Sequence, residues 1–208
     1  MISLVDSGAI PRVPAGRPLS LTEWAALPED APGEWVDGRL VDEEMTDYLH
    51  EVVVAVLVRI FGTWLQGRGG FVGGSDARFA ISPRRGRKPD ISVYLPGGRI
   101  PPARGLIRVP PDIMVEVVSL DPRDRRRDRV EKLNEYAAFG VRYYWLLDPE
   151  ERSLQIFELS PGGRYQYALG HSEGVISHVP GCAGLQLDLD ALWAEIDRLG
   201  PPSPDDEA

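Results

Sequence analysis

Between Asp47 and Gln66 the apolar residues Leu49, Val52, Val53, Val56, Leu57, Ile60, Phe61 and Trp64 recur at helical spacing. They form one broad face and predict a long helix, which the glycine-rich run Gly67 to Gly74 ends. Upstream, Ser20-Leu21-Thr22-Glu23 spells a capping box for a short helix that stops before Pro28. Glu34 to Val41 reads as a hairpin turning at Asp37-Gly38. Asp76 to Ile81 alternates, with Ala77, Phe79 and Ile81 on one side, and Asp90 to Tyr94 alternates too. Ile113 to Val118 is almost wholly apolar, the pattern of a central strand buried on both faces. A second helix is predicted from about Asp124 to Phe139, stopping at Gly140. Val141 to Leu147 then forms another buried strand, closed by Asp148-Pro149. Strands near 153–159, 164–169 and 174–179 suggest a meander, and a last helix spans about 189–199.

In core order this is helix, three strands, helix, strand. The strand–helix–strand crossover makes its two strands parallel. The fold class expected is α/β or α+β, a mixed central sheet with antiparallel additions. The 208 residues are enough for one domain, placed at 19–200 between a proline-containing leader, 1–18, and an acidic tail, 201–208. Cys182 is the only cysteine, which excludes an intrachain disulfide and a cysteine metal cluster. Met1 to Ile10 has no basic start followed by an apolar core, and the apolar run Val52 to Leu57 is too short to cross a bilayer. The expected setting is the cytoplasm, with no membrane partner.

Charge changes the picture only when it is resolved along the chain. The net charge of −9 argues against a generic nucleic-acid binder. Glu29 to Glu51, however, holds nine acids against Arg39, and the segment from Asp188 holds seven against Arg198. Between these acidic zones stand Arg84, Arg85, Arg87 and Lys88, and then Arg123, Arg125, Arg126, Arg127 and Arg129. Such arginines either position a phosphate backbone or are solvated surface charge. Only Lys88 and Lys132 are lysines among the 23 basic residues.

Two acids stand where acids are costly. Glu116 lies inside the apolar strand Met114 to Val118, so it needs a partner or a metal. Asp90 opens a neighbouring strand directly after Pro89. Two carboxylates at the ends of adjacent strands suit Mg²⁺ (or Mn²⁺), which prefers oxygen ligands and keeps several waters. Lys132, on the helix after Glu116, is the candidate to hold an attacking water or to offset developing charge. Asp128 and Tyr136 lie four residues either side of it, on the same helical face. The bland alternative is a surface lysine paired with Asp128.

Pro89-Asp90, Glu116 and a following lysine resemble the PD-(D/E)XK nuclease superfamily. More closely, residues 20 to 170 resemble a large bacterial family of restriction-endonuclease-like proteins. The resemblance rests on Val115 to Ser119, Arg125 to Asp128, Glu131-Lys132, Tyr136, Gly140-Val141 and Tyr144 to Pro149. Glu34 to Leu40 is similar to that family's hairpin, and His50 to a histidine opening its long helix. The superfamily's usual lysine position, two residues after the acid, is Val118 here, so the lysine would have moved to the helix as Lys132.

The resemblance implies that Asp90 and Glu116 bind the metal and that Lys132 completes the catalytic set. His50, Glu34 and Asp128 are candidate supporting groups. Arg84, Arg85, Arg87, Lys88, Arg125, Arg126 and Arg127 are candidate nucleic-acid contacts. The function implied is a metal-dependent endonuclease acting on nucleic acid, DNA by preference; a homodimer is expected because one active site cuts one strand. The alternatives are an inactive nuclease-fold module that binds nucleic acid or protein or acts as a dimer scaffold, and a hydrolase of small phosphorylated molecules. Asp112 is read as structural, Asp76 and Glu34 as sheet-edge charges in preference to extra acidic ligands, and His171 and His178 as exposed.

Overall fold

The computed structural model describes residues 18–28, 31, 33–41, 47–119 and 127–200, with Asp128 described in its backbone alone. Nearly all of the expected leader, the whole acidic tail, Arg123, Arg125 and Arg126 lie outside the described residues. Helix α1 (Leu21–Ala25) starts with the capping box: the Ser20 N–H donates to Glu23 Oε2 at 2.8 Å, and the Glu23 N–H donates to Ser20 Oγ at 3.2 Å. Strands β1 (Glu34–Val36) and β2 (Arg39–Val41) form the hairpin. Its turn holds Asp37 at φ 50° and Gly38 at φ 81°, the two left-handed residues that match strand twist. Helix α2 (Tyr48–Leu65) is capped by Asp47, whose carboxylate accepts from the His50 N–H.

The central sheet contains β3 (Phe71–Gly73), β6 (Ile91–Tyr94), β7 (Ile113–Val117), β8 (Tyr143–Asp148), β9 (Ser153–Leu159) and β10 (Tyr165–His171). Its spatial order is β10-β9-β8-β7-β6-β3, and only β7 and β8 run parallel. A second sheet, in the order β2-β1-β5-β4, adds β4 (Phe79–Ser82) and β5 (Arg85–Arg87) to the hairpin. The expected crossover is present. Downstream of β7 a π-helical segment (Arg127–Lys132) continues as α3 (Leu133–Phe139), which ends at Gly140 with φ 91°. That left-handed cap favours glycine and turns the chain into β8. A short pair, β11 (Val175–Ile176) with β12 (Leu187–Asp188), leads into α4 (Leu189–Ile196).

The two faces of the central sheet carry separate cores. On one side Val115, Val117, Ile91, Trp145 and Leu147 pack with α2 and α4. On the other, Met114, Val118, Tyr144 and Leu146 pack with Tyr136 of α3 and Phe79 and Ile81 of β4. Strand alternation therefore sends Glu116, between Val115 and Val117, towards the α3 side. By length and composition α2 could cross a bilayer, with a mean hydropathy of 1.5. Its residues Val53, Val54, Leu57 and Phe61 are buried in the first core.

The mixed sheet and the α+β class match the expectation, and several details correct it. The strand expected at 76–81 starts later and joins the second sheet. Its place beside β6 is taken by β3, which forms inside the glycine-rich run. Glycine suits that strand because a Cβ on Gly73 would stand 3.0 Å from Ser92 Oγ. The basic run Arg84 to Lys88, to which the sequence pattern assigns no element, contains strand β5, where Gly86 leaves room for Trp24, since a Cβ there would meet its ring at 2.5 Å. The strand near 174–179 pairs with β12 and does not extend the meander.

Candidate active site

Glu116 is 2 % exposed, and both its oxygens meet donors from the helix that follows its strand. Lys132 Nζ lies 2.8 Å from Oε2, and the Tyr136 hydroxyl donates to Oε1 at 2.5 Å. The parallel crossover produces this arrangement. It carries the chain from the end of β7 back over the sheet face, so residues 132 and 136 hang above residue 116. Burial pushes the Tyr136 phenol well above its ordinary pKa, and the Glu116 charge pushes it further. Tyr136 therefore stays a donor at working pH.

Behind Lys132 sits a second buried acid. Glu34 and Arg87 are both fully buried, and Arg87 Nη1 donates to Glu34 Oε2 at 2.6 Å. The Lys88 N–H donates to Glu34 Oε1 at 3.0 Å, and Lys132 Nζ stands 3.7 Å from the same oxygen. Arg87 also forks onto Glu135 of α3, Nε to Oε2 at 2.7 Å and Nη2 to Oε1 at 2.9 Å. Burial alone would raise the Glu34 pKa. Lys132, Arg87, the Lys88 N–H and Arg127 outweigh it and hold the carboxyl below its ordinary value. Such pairs persist in a low-dielectric site because each charge is met by another and by hydrogen bonds.

Asp90 approaches from the other side. The ladder pair Ile91↔Val115 brings it level with the end of β7, where the Val117 N–H donates to Asp90 Oδ2 at 2.7 Å. His50 Nε2, on the first turn of α2, lies 3.2 Å from the same oxygen. Burial would lower the His50 pKa, but the hydrogen bond and charge of Asp90, aided by Glu51, raise it overall. The structure thus gathers the expected residues in two adjoining groups, Glu116 with Lys132 and Glu34, and Asp90 with His50. They meet at the Glu116-Val117 peptide.

Glu34 lies at the centre of a buried charge cluster, not at a sheet edge. Sequence reasoning gave Tyr136 a place on the Lys132 face but no role. Its spacing from Lys132 was the available signal. Glu135 carried no signal, because its partner Arg87 is remote in sequence.

The basic run behaves differently from the expectation. Arg87 is enclosed between Glu34 and Glu135, so it is not presented to a phosphate. The alternation of β5 turns Arg85 and Arg87 to one side and Gly86 to the other. Arg84 and Arg85 both pair with Asp37, at 2.7 and 2.6 Å, and Arg85 also meets Glu135 at 3.0 Å. Lys88 Nζ pairs with Asp76 at 3.2 Å. Arg127 lies largely buried, with Nε 3.9 Å from Glu34 Oε2. Arg125, Arg126 and the side chain of Asp128 lie outside the described residues. Asp112 is structural, accepting from the Leu95 N–H at 2.8 Å, and His171 and His178 are exposed. Val118, at the usual lysine position, is packed in the second core.

The donor set fits a hard divalent cation held by few protein ligands. Among the described residues no three His, Cys, Asp or Glu side chains cluster as a metal site. Asp90 is partly exposed, and both of its contacts engage Oδ2, which leaves Oδ1 without a hydrogen bond among the described residues. Two carboxylates completed by waters is an arrangement that Mg²⁺ accepts.

Comparison with known proteins bears on the fold and the family. No curated protein matches the chain. A crystal structure of a "putative nuclease" from Anabaena variabilis superposes with a TM-score of 0.67 at 20 % identity, covering 86 % of this chain and 99 % of that one. That likeness establishes a shared fold. The model of the Uma2 family, described as "Putative restriction endonuclease", matches residues 21–190. The match spans both sheets and every residue of the Glu34–Glu116–Lys132 and Asp90–His50 groups, and the chain belongs to the Uma2 family.

Proposed function

We propose that the chain is a Mg²⁺-dependent nuclease that hydrolyses phosphodiester bonds of nucleic acid, with DNA as the polymer. The observation that carries this reading is the buried pair of Glu116 and Lys132 beside Asp90. Asp90, through Oδ1, and Glu116 would hold the cation. When bound, it polarises a phosphodiester oxygen and lowers the pKa of a bound water. Lys132 orients the attacking water or offsets the charge that develops on the phosphate. His50 fixes Asp90 by taking Oδ2. Water attacks in line and leaves a 5′-phosphate and a 3′-hydroxyl. Cutting both strands of a duplex takes two such sites, which a homodimer supplies. The setting proposed is the cytoplasm.

A second reading, a nuclease-fold module without catalysis, draws on one observation. Arg84, Arg85, Arg87 and Lys88 are each paired with an acid of the same chain, which weakens their pull on phosphate. The test is cleavage of duplex and single-stranded DNA and of RNA with Mg²⁺ or Mn²⁺. Asp90→Ala and Glu116→Ala should each abolish metal-dependent cleavage. Wild-type activity in either variant refutes the assignment. Absence of cation binding, together with absence of polymer binding at low salt, selects the second reading.

A further inference from the structure

Resting on the reading of this site as a metal-dependent nuclease, the geometry points to Tyr136 as the residue that positions Glu116. We infer that its hydroxyl keeps Oε1 while Lys132 releases Oε2 and turns to Glu34. Tyr136 and Lys132 differ in what they can do as donors to Glu116. Tyr136 is fully buried, and its ring packs edge-on against Tyr144 with centroids 5.3 Å apart, so the hydroxyl has nowhere to go. Lys132 is a flexible stem whose ammonium stands between two buried carboxylates, 2.8 Å from Glu116 Oε2 and 3.7 Å from Glu34 Oε1. It can change partner without entering solvent.

Charge supplies the reason for the change. An ammonium and a divalent cation on one carboxylate oxygen repel each other. Glu34 is held ionised by its surroundings, so it offers Lys132 an acceptor already in place. When Glu116 turns Oε2 to the cation, Lys132 stays compensated by Glu34, and Tyr136 prevents the carboxylate from rotating away. Tyr136 is a positioning residue here, since its hydroxyl meets only the Glu116 carboxylate among the described residues.

The lysine census makes the test direct. The chain has two lysines, Lys88 and Lys132, so protein grown with ¹³C,¹⁵N-lysine gives two side-chain signals, assigned with Lys88→Arg. In the wild-type protein the Lys132 ζ signal should shift saturably with Mg²⁺. No shift at Mg²⁺ concentrations that saturate binding by calorimetry overturns the inference. In Tyr136→Phe, Mn²⁺ affinity by calorimetry should weaken about 10- to 100-fold. The same variant should lose kcat with substrate KM unchanged, while its melting temperature falls by only a few degrees. Wild-type Mn²⁺ affinity and kcat in Tyr136→Phe overturn the inference and leave the nuclease reading intact. A Tyr136→Phe chain that does not fold leaves the decision to the lysine signals. A wild-type protein that binds no cation and cleaves nothing sinks the nuclease reading, and this inference with it.

Discussion

The Lys132 ammonium stands between Oε2 of Glu116 and Oε1 of Glu34, at 2.8 and 3.7 Å. Lys132→Arg keeps the charge but replaces a compact ammonium with a planar fork, which is no conservative change at a buried site. Cleavage by that variant should fall at least 100-fold, by roughly the loss of one well-placed charged group near the reacting atoms. Turnover close to wild type would remove Lys132 from the catalytic set. Glu34 gives a prediction in pH. Its folded pKa lies below the ordinary carboxylate value, so the stability it supplies is present above about pH 4.5 and is lost as pH falls through the lower folded value. Glu34→Gln takes a charge partner from Arg87, which keeps Glu135, and from Lys132, which keeps Glu116, and urea denaturation at pH 7 should show a loss of roughly 1–3 kcal/mol. The gap to wild type should narrow as pH drops below 4.5. A gap that stays constant from pH 7 to pH 3 would contradict the pairing.

Among the elements, those with a clear period were legible from the chain, and those defined by partners were not. The capping box at Ser20-Glu23, the Asp37-Gly38 turn and the eight-residue apolar face of α2 each state their structure locally. Strand β7 announced itself by its apolar run, and Glu116 by interrupting it. Strand β3 was hidden because glycine has no pattern to read, and its strand state comes from pairing with β6. Strand β5 was hidden because charge reads as surface, whereas Arg87 is buried by partners 53 and 48 residues away in sequence. The π-helical turn at Arg127–Lys132 also left no mark, since its difference from an α-helix is one of hydrogen-bond register. It precedes α3, whose exit depends on Gly140 at φ 91°. Gly140→Ala should cost about 1 kcal/mol in a denaturation curve, the strain of a left-handed alanine. An unchanged midpoint would show that the cap relaxes without it.

For the whole molecule, the sign of the net charge misled less than its pairing. The acidic total of −9 suggested a poor partner for nucleic acid, and the arginine clusters suggested the reverse. The fold brings Asp37, Glu34, Glu135 and Asp76 onto the first cluster, which leaves little unbalanced positive charge there. Binding of a duplex should therefore show a shallow salt dependence, with log K against log [salt] corresponding to about two or three phosphates. A slope like that of a basic repressor, near ten, would mean that a larger cationic surface is at work.

The Arg87–Glu34–Glu135 cluster also bears on how such a chain can diverge. The three residues come from β1, β5 and α3, so they tie the hairpin sheet to the helix that carries Lys132. Losing any one leaves the remaining charges short of a partner and costs stability, whereas replacing all three with apolar groups of similar volume can be neutral. Single steps are therefore closed and joint steps open. Descendants of this chain are expected to keep all three residues or to have exchanged them together, whatever has become of the activity beside them.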